Sequence, residues 1–152
     1  MIIICERSDY APAPEETKEA SEGRIMTDEH PNIAVLKRFN PANLAESADV
    51  LAEDVVWHYY NPHLPDLQGD YVGRAGVRTF FEKLRLLAGS AFEIRLISTT
   101  TVGDELVVIH RKQAVKLEGR RIETDVVVVW RIVDGRIAEV WDIPSINAVR
   151  SS

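Results

Sequence analysis

Three stretches of the chain place apolar residues at the three- and four-residue spacing of a helix. The first begins at Pro31, which a first helical turn tolerates, and ends before Pro41. The second follows Asn43, an N-cap residue type, and the third runs from Arg74 to Leu87. The apolar positions are Ile33, Leu36 and Phe39, then Leu44, Ala48 and Leu51, then Val77, Phe80, Phe81, Leu84 and Leu87. The third stripe is wide and needs a sheet to pack against.

Five further stretches have the composition or the period of β-strands. The first, DVVWHYY from Asp54 to Tyr60, is β-branched and aromatic, which favours a strand. The NPHLPDLQGDYVG that follows contains two prolines and two glycines and is predicted to be a loop. Runs at residues 91–101, 106–117, 121–132 and 136–143 are separated by the turns VGDE, EGR and VDG, which are typical of antiparallel neighbours. This order predicts an α+β domain with helices packed on a mostly antiparallel sheet.

The run from Val126 to Trp130 is apolar at every position, so it presents apolar side chains to both faces of its strand. An antiparallel strand with one face in water would alternate instead. We therefore expect a cover over the second face. A homodimer interface through the sheet is the simplest candidate, and one end of the helical layer is the alternative.

Composition and charge limit the partners of this domain. The 152 residues are 45% hydrophobic, which suits one core, and the formal net charge of -6 argues against nucleic acid as a partner. No apolar run approaches the roughly 20 residues of a membrane helix, so no membrane contact is expected. Met1 to Cys5 lacks the features of a secretory signal, and a lone cysteine cannot form an internal disulfide. No Cys/His spacing suits a metal, and a cytoplasmic location is predicted.

The first residues differ in composition from the rest of the chain. Residues 6–26 mix Pro, Glu, Ser and Lys with few large apolar groups, which predicts disorder. We therefore divide the chain into a flexible N-terminal arm, residues 1–26, and a domain, residues 27–152. Met26 opens MTDEHPN, which is typical of a chain start, so residues 1–25 could be an upstream extension. The alternative is that MIIIC docks as an extra edge strand.

Two segments resemble the signature layout of SnoaL-like proteins, a family named for a polyketide cyclase within the nuclear-transport-factor-2-like superfamily. They are LAEDVVWHYYNPHLPDLQGDYVGRAGVRTFFEKL and VDGRIAEVWDIP, and the likeness covers about residues 31–148. The resemblance implies a cone-shaped fold in which about three helices close one side of a strongly curved sheet around a ligand pocket. The superfamily also includes ketosteroid isomerases, limonene epoxide hydrolases, scytalone dehydratases and proteins without catalytic activity, so the fold alone does not assign a function.

The resemblance also indicates which side chains face the pocket. It implies that the last strand turns Val140, Asp142 and Pro144 inward, and strand alternation extends this choice to the neighbouring strands. The other pocket-facing residues are then Trp57, Tyr59 and Asn61, Ile109, Arg111 and Gln113, and Thr124, Val126 and Val128. The loop residue His63 is expected at the pocket mouth. Trp130 is interpreted as core.

Asp142 is the leading catalytic candidate because it matches the acid/base aspartate on the last strand of SnoaL-like cyclases. A carboxyl group in an apolar cavity has its pKa raised from about 3.9 toward neutral pH. The alternative is a structural ion pair with Arg111, which would lower that pKa. Arg111 could instead bind a carboxylate or enolate oxygen of a ligand. His58 faces the opposite side of its strand and is a third candidate if a bulge turns it inward.

These residues support two hypotheses of function. The leading one is a cofactor-independent enzyme of the cyclase, isomerase or hydrolase type that binds a small apolar or aromatic carbonyl compound. Steroid isomerisation is not expected, because the carboxylates of ketosteroid isomerases fall at Tyr59 or Asn61 and at Val128. The chain also contains no nucleophile elbow and no glycine-rich phosphate loop. The second hypothesis is a non-catalytic protein of the same fold that carries a ligand or mediates assembly.

Overall fold

The computed structural model describes residues 29–89, 92–117, 119–146 and 150–151. Its helices are α1, Pro31–Lys37, and α2, Gly73–Ala88, with a 3₁₀ turn at Ala48–Val50. The strands are β1 (Leu51–Tyr59), β2 (Gly69–Val72), β3 (Phe92–Val102), β4 (Leu106–Leu117), β5 (Arg120–Val133), β6 (Arg136–Pro144) and β7 (Arg150–Ser151). Within these ranges no helix has the length and hydropathy needed to span a membrane. The predicted arm, residues 1–26, lies outside the described residues.

One mixed sheet connects all the strands, in the order β2-β1-β6-β5-β4-β3. Strands β1 and β6 are parallel and the other pairs are antiparallel, while β7 extends the sheet by pairing with β5. The register places Tyr59 opposite Asp142, and Asp142 opposite Val128. The predicted α+β fold is confirmed. The last strand of the meander thus returns to the first strand and brings Asp142 to the middle of the sheet.

The four long strands and α2 lie within one or two residues of their predicted bounds. The predicted second helix is wrong: residues 41–47 form turns, and Leu51 is a buried residue of β1. Side chains there bind the backbone instead, since Ser47 Oγ accepts from the Asn40 N–H at 3.2 Å and Asn40 Oδ1 accepts from the Ala42 N–H at 3.0 Å. Such local bonds compete with helix formation.

The predicted loop from residue 61 to residue 73 is also partly wrong, because Gly69–Val72 forms the edge strand β2. Tyr71 is buried in this strand and pairs with Trp57, so it covers the edge of β1. The Tyr71 hydroxyl donates to the carbonyl oxygen of Leu67 at 2.5 Å. An unpaired β1 would present a free edge, and a short β2 protects it.

Two contacts fix the start of α2 against the sheet. The Arg74 guanidinium donates from Nε and Nη2 to the carbonyl oxygen of Leu51, at 3.0 Å and 2.7 Å. Gly76 allows the helix to approach β2, since a Cβ there would lie 2.9 Å from the carbonyl carbon of Tyr71. The apolar stripe of α2 therefore faces β1, where Val77 and Phe80 are buried.

Aromatic side chains fill much of the space between the helices and the centre of the sheet. Trp57 stacks on Phe80 with ring centroids 5.3 Å apart and lies edge-on to Trp130 at 5.5 Å. Phe39, two residues after the end of α1, packs against both indoles. Its ring centroid lies 6.0 Å from that of Trp57 and 5.6 Å from that of Trp130. Phe81 completes the cluster, 5.0 Å from Trp57. Trp130 is thus part of the core, as the sequence indicated.

The second face of β5 is only partly covered within one chain. Val126 and Val128 are buried under the helices, whereas Val127 on the outer face is 37% exposed. On β6, Ile143 is 46% exposed and Trp141 is half-buried on the same outer face. A homodimer interface through this surface remains a prediction.

Candidate functional site

A cavity of about 540 Å³ lies between the end of α2, the loop after β1 and the ends of β4, β5 and β6. Polar wall positions are occupied by Tyr59, Asn61, His63, Gln113 and Thr124, all of which the sequence had placed at the pocket. The remaining walls are apolar and consist of Leu64, Leu84, Leu87, Ala88, Phe92, Val115, Ile122, Pro144 and Ile146. The cavity is therefore largely apolar with a few polar groups, as small-molecule sites usually are.

Five residues expected to bind a ligand do not line this cavity: Trp57, Ile109, Val126, Val128 and Val140 are core residues. They do face the interior, as strand alternation indicated. In front of Trp57 the space is occupied by Phe39, Phe80 and Phe81, which pack on its indole. The cavity is consequently displaced along the strands, toward the start of β5 and the end of β4.

Several wall residues were missed by the sequence analysis. Val115 and Ile122 continue the inward alternation of Gln113 and Thr124, so the same parity rule could have found them. Leu84 and Leu87 belong to the predicted stripe of α2, but the stripe alone did not show where the sheet leaves it uncovered. Leu64 lies in the proline-rich loop, and no sequence pattern there indicated that it lines the cavity.

Asp142 is a buried carboxyl group just behind the cavity wall. It is 4% exposed and does not line the cavity, but Tyr59 beside it on β1 and Pro144 two residues further along β6 both do. Burial raises the pKa of Asp142 above its ordinary value of 3.8, although Arg111 and the indole N–H of Trp57 act in the opposite direction. The indole is close enough to affect this pKa, yet neither Trp57 Nε1 nor Asp142 Oδ1 makes a hydrogen bond of ordinary geometry within the described residues.

Arg111 approaches Asp142 without forming a tight ion pair. Its Nη2 lies 3.7 Å from Asp142 Oδ1, beyond hydrogen-bonding distance, and 3.3 Å from Gln113 Oε1, to which it donates. Arg111 is 8% exposed. The ion pair considered from the sequence is therefore present only at long range, and Arg111 lowers the pKa of Asp142 by less than burial raises it.

Tyr59 lies in the cavity wall and pairs in register with Asp142 across β1 and β6. Burial, and next the charge of Asp142, raise the pKa of Tyr59 to about 12. Its hydroxyl accepts a hydrogen bond from Asn61 Nδ2 at 3.1 Å, and Asn61 Oδ1 accepts from the backbone N–H of His63 at 3.0 Å. Tyr59 therefore stays protonated at neutral pH and can donate its hydroxyl proton to a ligand oxygen in the cavity.

His58 does not reach the cavity, which corrects its place among the catalytic candidates. It lies on the outer face of β1, where Nδ1 is 2.8 Å from Asp70 Oδ1 and Nε2 is 2.6 Å from Glu139 Oε2. Its ring stacks on Trp141 with centroids 5.5 Å apart. No bulge turns it inward, because β1 pairs in continuous register from Val56 to Tyr59 with both neighbouring strands.

His58 joins three adjacent strands through its carboxylate partners, which predicts a pH-dependent stability. Burial alone would lower the pKa of His58, but the hydrogen bonds to Asp70 and Glu139 raise it above 6.5. The imidazolium donates to both carboxylates, so its stabilising contribution is fully present below pH 6.5 and is lost as the pH rises through the raised pKa. We expect this loss to be about 1 kcal/mol, because the cluster is partly exposed.

Urea unfolding measured at a series of pH values tests this expectation. The wild-type stability should fall above pH 6.5 by more than that of a His58→Gln variant, and Glu139→Gln should show an intermediate slope. Identical pH profiles for the wild type and His58→Gln would show that the cluster does not stabilise the fold.

Within the part of the chain that the structure describes, no three His, Cys, Asp or Glu side chains form a group that could hold a metal ion. The polar groups at the cavity are the Tyr59 hydroxyl, the Asn61 and Gln113 amides, the His63 imidazole and the Thr124 hydroxyl, with the buried Asp142 and Arg111 behind them.

A mixed sheet packed on helices beside a largely apolar cavity is the architecture of the nuclear-transport-factor-2-like class. Residues 33–140 match the model of the SnoaL-like domain family, and the chain belongs to that family. This match confirms the resemblance stated from the sequence motifs. No curated protein matches the sequence significantly.

Solved structures of distant relatives have the same fold. Bal32a from a soil-derived mobile gene cassette is 18% identical, with a TM-score of 0.67 over 76% of this chain and 89% of that chain. TerC, co-crystallised with polyporic acid, is 22% identical, with a TM-score of 0.66 over 78% of this chain and 94% of that chain. An NTF2-like protein of unknown function from Burkholderia pseudomallei is also 22% identical, with a TM-score of 0.67 over 77% and 92% of the two chains.

Proposed function

We propose that the protein binds a small apolar or aromatic carbonyl compound in the cavity and catalyses cofactor-independent acid/base chemistry of the cyclase, isomerase or hydrolase type. The observation that carries this proposal is the buried carboxyl group of Asp142, with a raised pKa, next to two residues of an apolar cavity wall. A carboxyl group whose pKa lies closer to the working pH is suited to exchanging protons with a substrate.

The ligand class follows from the cavity walls. Leucine, valine, isoleucine and phenylalanine side chains favour an apolar or aromatic body, while Tyr59 offers a hydroxyl proton to a carbonyl oxygen. TerC, which has the same fold, was co-crystallised with polyporic acid, and this supports an organic ligand for the present chain.

In this proposal Tyr59 carries a proton between Asp142 and the ligand, which requires the Asp142 carboxyl group to come within hydrogen-bonding distance of the Tyr59 hydroxyl. As Tyr59 passes its hydroxyl proton to the ligand oxygen, protonated Asp142 returns a proton to the Tyr59 oxygen, and the charge ends on the Asp142 carboxylate. Arg111, 3.7 Å from Asp142 Oδ1, stabilises that carboxylate. The charge of Asp142 is among the causes that raise the pKa of Tyr59, and this supports their electrostatic proximity.

A thermal-shift screen of lipophilic ketones, epoxides and phenolic compounds tests the binding part of this proposal. A ligand that binds the folded state at a concentration 100-fold above its Kd stabilises it by about 2.7 kcal/mol and raises the melting temperature. Hits are then assayed for turnover in the absence of any added cofactor. Failure of every compound class to raise the melting temperature would contradict a ligand-binding cavity of this kind.

A non-catalytic ligand carrier is the second candidate, and the position of Asp142 favours it. The carboxyl group is 4% exposed and lies behind the wall, so a ligand in the cavity does not touch it without Tyr59 as an intermediary. The two candidates separate by an NMR titration of Asp142. A pKa well below 4 would indicate a permanent ion pair with Arg111 and would favour the carrier.

A further inference from the structure

Arg111 is a buried cation whose nearest carboxylate within the described residues, that of Asp142, lies beyond hydrogen-bonding distance. Within the described residues its only hydrogen bond runs from Nη2 to Gln113 Oε1, at the long distance of 3.3 Å, and its Nε has no partner. The carboxylate oxygen that approaches it, Asp142 Oδ1, is 3.7 Å from Nη2. The guanidinium lies next to the cavity, because Gln113 is both its hydrogen-bond acceptor and a wall residue.

Exposed arginines of the same sheet show the contrast. Arg121 Nη2 lies 2.8 Å from a carboxylate oxygen of Glu93, and Arg131 Nη1 lies 2.5 Å from one of Glu105. Those pairs are 38% exposed or more on the arginine side, where water would solvate the charge in any case. Buried Arg111 therefore lies farther from its nearest carboxylate oxygen than these two exposed arginines do from theirs.

A buried guanidinium cannot relieve this cost by losing its proton, since arginine stays charged in proteins. Gln113 supplies only a neutral oxygen, and Asp142 Oδ1 lies 3.7 Å from Nη2, too far to accept a hydrogen bond from it. A buried charge that lacks hydrogen-bonded counter-ions destabilises the protein, because burial has also removed it from water. The site therefore favours an anion that comes from outside the chain.

We infer that the ligand of this cavity carries a carboxylate, whose oxygens pair with the Arg111 guanidinium in place of the Gln113 amide oxygen. This inference rests on the proposed function in that the cavity must bind a ligand. A carboxylate matches the planar fork of the guanidinium and forms two charge-assisted hydrogen bonds, which are stronger than the single bond to a neutral amide. The apolar walls then take the hydrocarbon part of the same molecule.

Titration calorimetry with 2-naphthoate and 2-naphthamide tests the inference, since the two probes have similar shapes and differ in charge. We expect the wild-type protein to bind 2-naphthoate at least 10-fold more tightly than 2-naphthamide, as hydrogen bonds to charged groups require. In Arg111→Gln this preference should disappear, while the affinity for 2-naphthamide stays within a few-fold.

Lys112→Gln is the matched control. It removes the same charge from the neighbouring position of β4, but Lys112 lies on the outer face, where its Nζ is 2.9 Å from Asp125 Oδ2. The 10-fold preference should persist in this variant. If Arg111→Gln does not fold, Arg111→Lys keeps the charge and loses the fork, and a reduced but measurable preference for 2-naphthoate is expected.

The outcomes separate this inference from the proposed function. Equal affinities of the wild type for the two probes would overturn the carboxylate assignment and leave a ligand-binding cavity in place. An equal loss of preference in Arg111→Gln and Lys112→Gln would also overturn it, because a long-range charge effect would then explain the preference. If neither probe binds, the carboxylate assignment is overturned together with the binding role of the cavity.

Discussion

Replacing Asp142 with Asn is expected to reduce turnover of a ligand bound in the cavity by a factor of about 10² to 10⁴, the usual contribution of a general acid or base. The amide has nearly the same size but cannot take part in proton exchange at neutral pH. Because Asp142 lies behind the wall, the affinity for the ligand should change only a few-fold. Steady-state kinetics together with calorimetric binding separate these two effects.

We also expect Asp142→Asn to have a defined effect on stability. The folded-state pKa of Asp142 is raised, so its contribution to stability is fully present below pH 3.8 and is lost as the pH rises through the folded-state value. At neutral pH the wild type therefore bears the cost of a buried ionisable carboxyl group. Asp142→Asn removes that cost, and we expect it to be at least as stable as the wild type in urea at pH 7.

Opposite results would identify the alternative role of Asp142. A permanent ion pair with Arg111 predicts that Asp142→Asn loses about 3–5 kcal/mol, because the guanidinium would then lose its only counter-ion. Unchanged turnover with a true substrate would reject proton transfer by Asp142. Asp125→Asn is the control: it makes the same substitution on the outer face of β5, where Asp125 binds His110 and Lys112, and should leave turnover unchanged.

The strands and their inward faces could be predicted from the sequence. Successive side chains of a strand point to opposite faces, so fixing the direction of one residue fixes the direction of the others. With Asp142 assigned to the inner face of β6, Val140 and Pro144 are assigned to the same face. All three residues are buried, which agrees with that assignment. The same rule placed His58 on the outer face, where the structure shows it bound to Asp70 and Glu139. Pairs of carboxylates on neighbouring strands cannot be recognised before the register is known.

The extent of the cavity could not be predicted, because it depends on how side chains from separate elements fill a shared space. Trp57 and Val128 face inward as expected, yet aromatic rings from the helical layer cover the cluster around Trp57. Alternation assigns a direction to a side chain and contains no information about what lies in front of it. The prediction of a second helix was wrong for a related reason. The side chains of Asn40 and Ser47 accept hydrogen bonds from nearby backbone N–H groups, and a spacing pattern does not detect such bonds.

The relation between Asp142 and Arg111 was left open by the sequence, and the structure shows a long ion pair together with a raised pKa of Asp142. The strands bring the two side chains to the same inner face. Their closest atoms, Arg111 Nη2 and Asp142 Oδ1, are 3.7 Å apart, so the charges attract each other without a hydrogen bond. Burial and the distance to Arg111 act in opposite directions on the pKa of Asp142, and burial has the larger effect. No sequence pattern predicts the burial of a side chain or an interatomic distance to that precision.

Replacing Phe80 with Ala is expected to destabilise the fold by about 3–5 kcal/mol, the largest stability loss we expect from a single core truncation. Phe80 is 1% exposed and connects α2 to the sheet. Its ring contacts four others, with centroids 5.3 Å from Trp57, 5.2 Å from Tyr59, 5.2 Å from Tyr71 and 5.0 Å from Phe81. Removing it leaves a cavity that these rings cannot all collapse to fill.

Urea unfolding followed by tryptophan fluorescence measures the loss, and an unchanged m-value would show that the unfolded state is the same. Leu86→Ala on the same helix is the matched control: Leu86 is 87% exposed, and its truncation should change stability by no more than about 0.5 kcal/mol. Because Phe80 also holds Tyr59 in place, folded Phe80→Ala should bind cavity ligands more weakly than the control does. Equal stabilities of the two variants would mean that the aromatic cluster does not anchor α2 to the sheet.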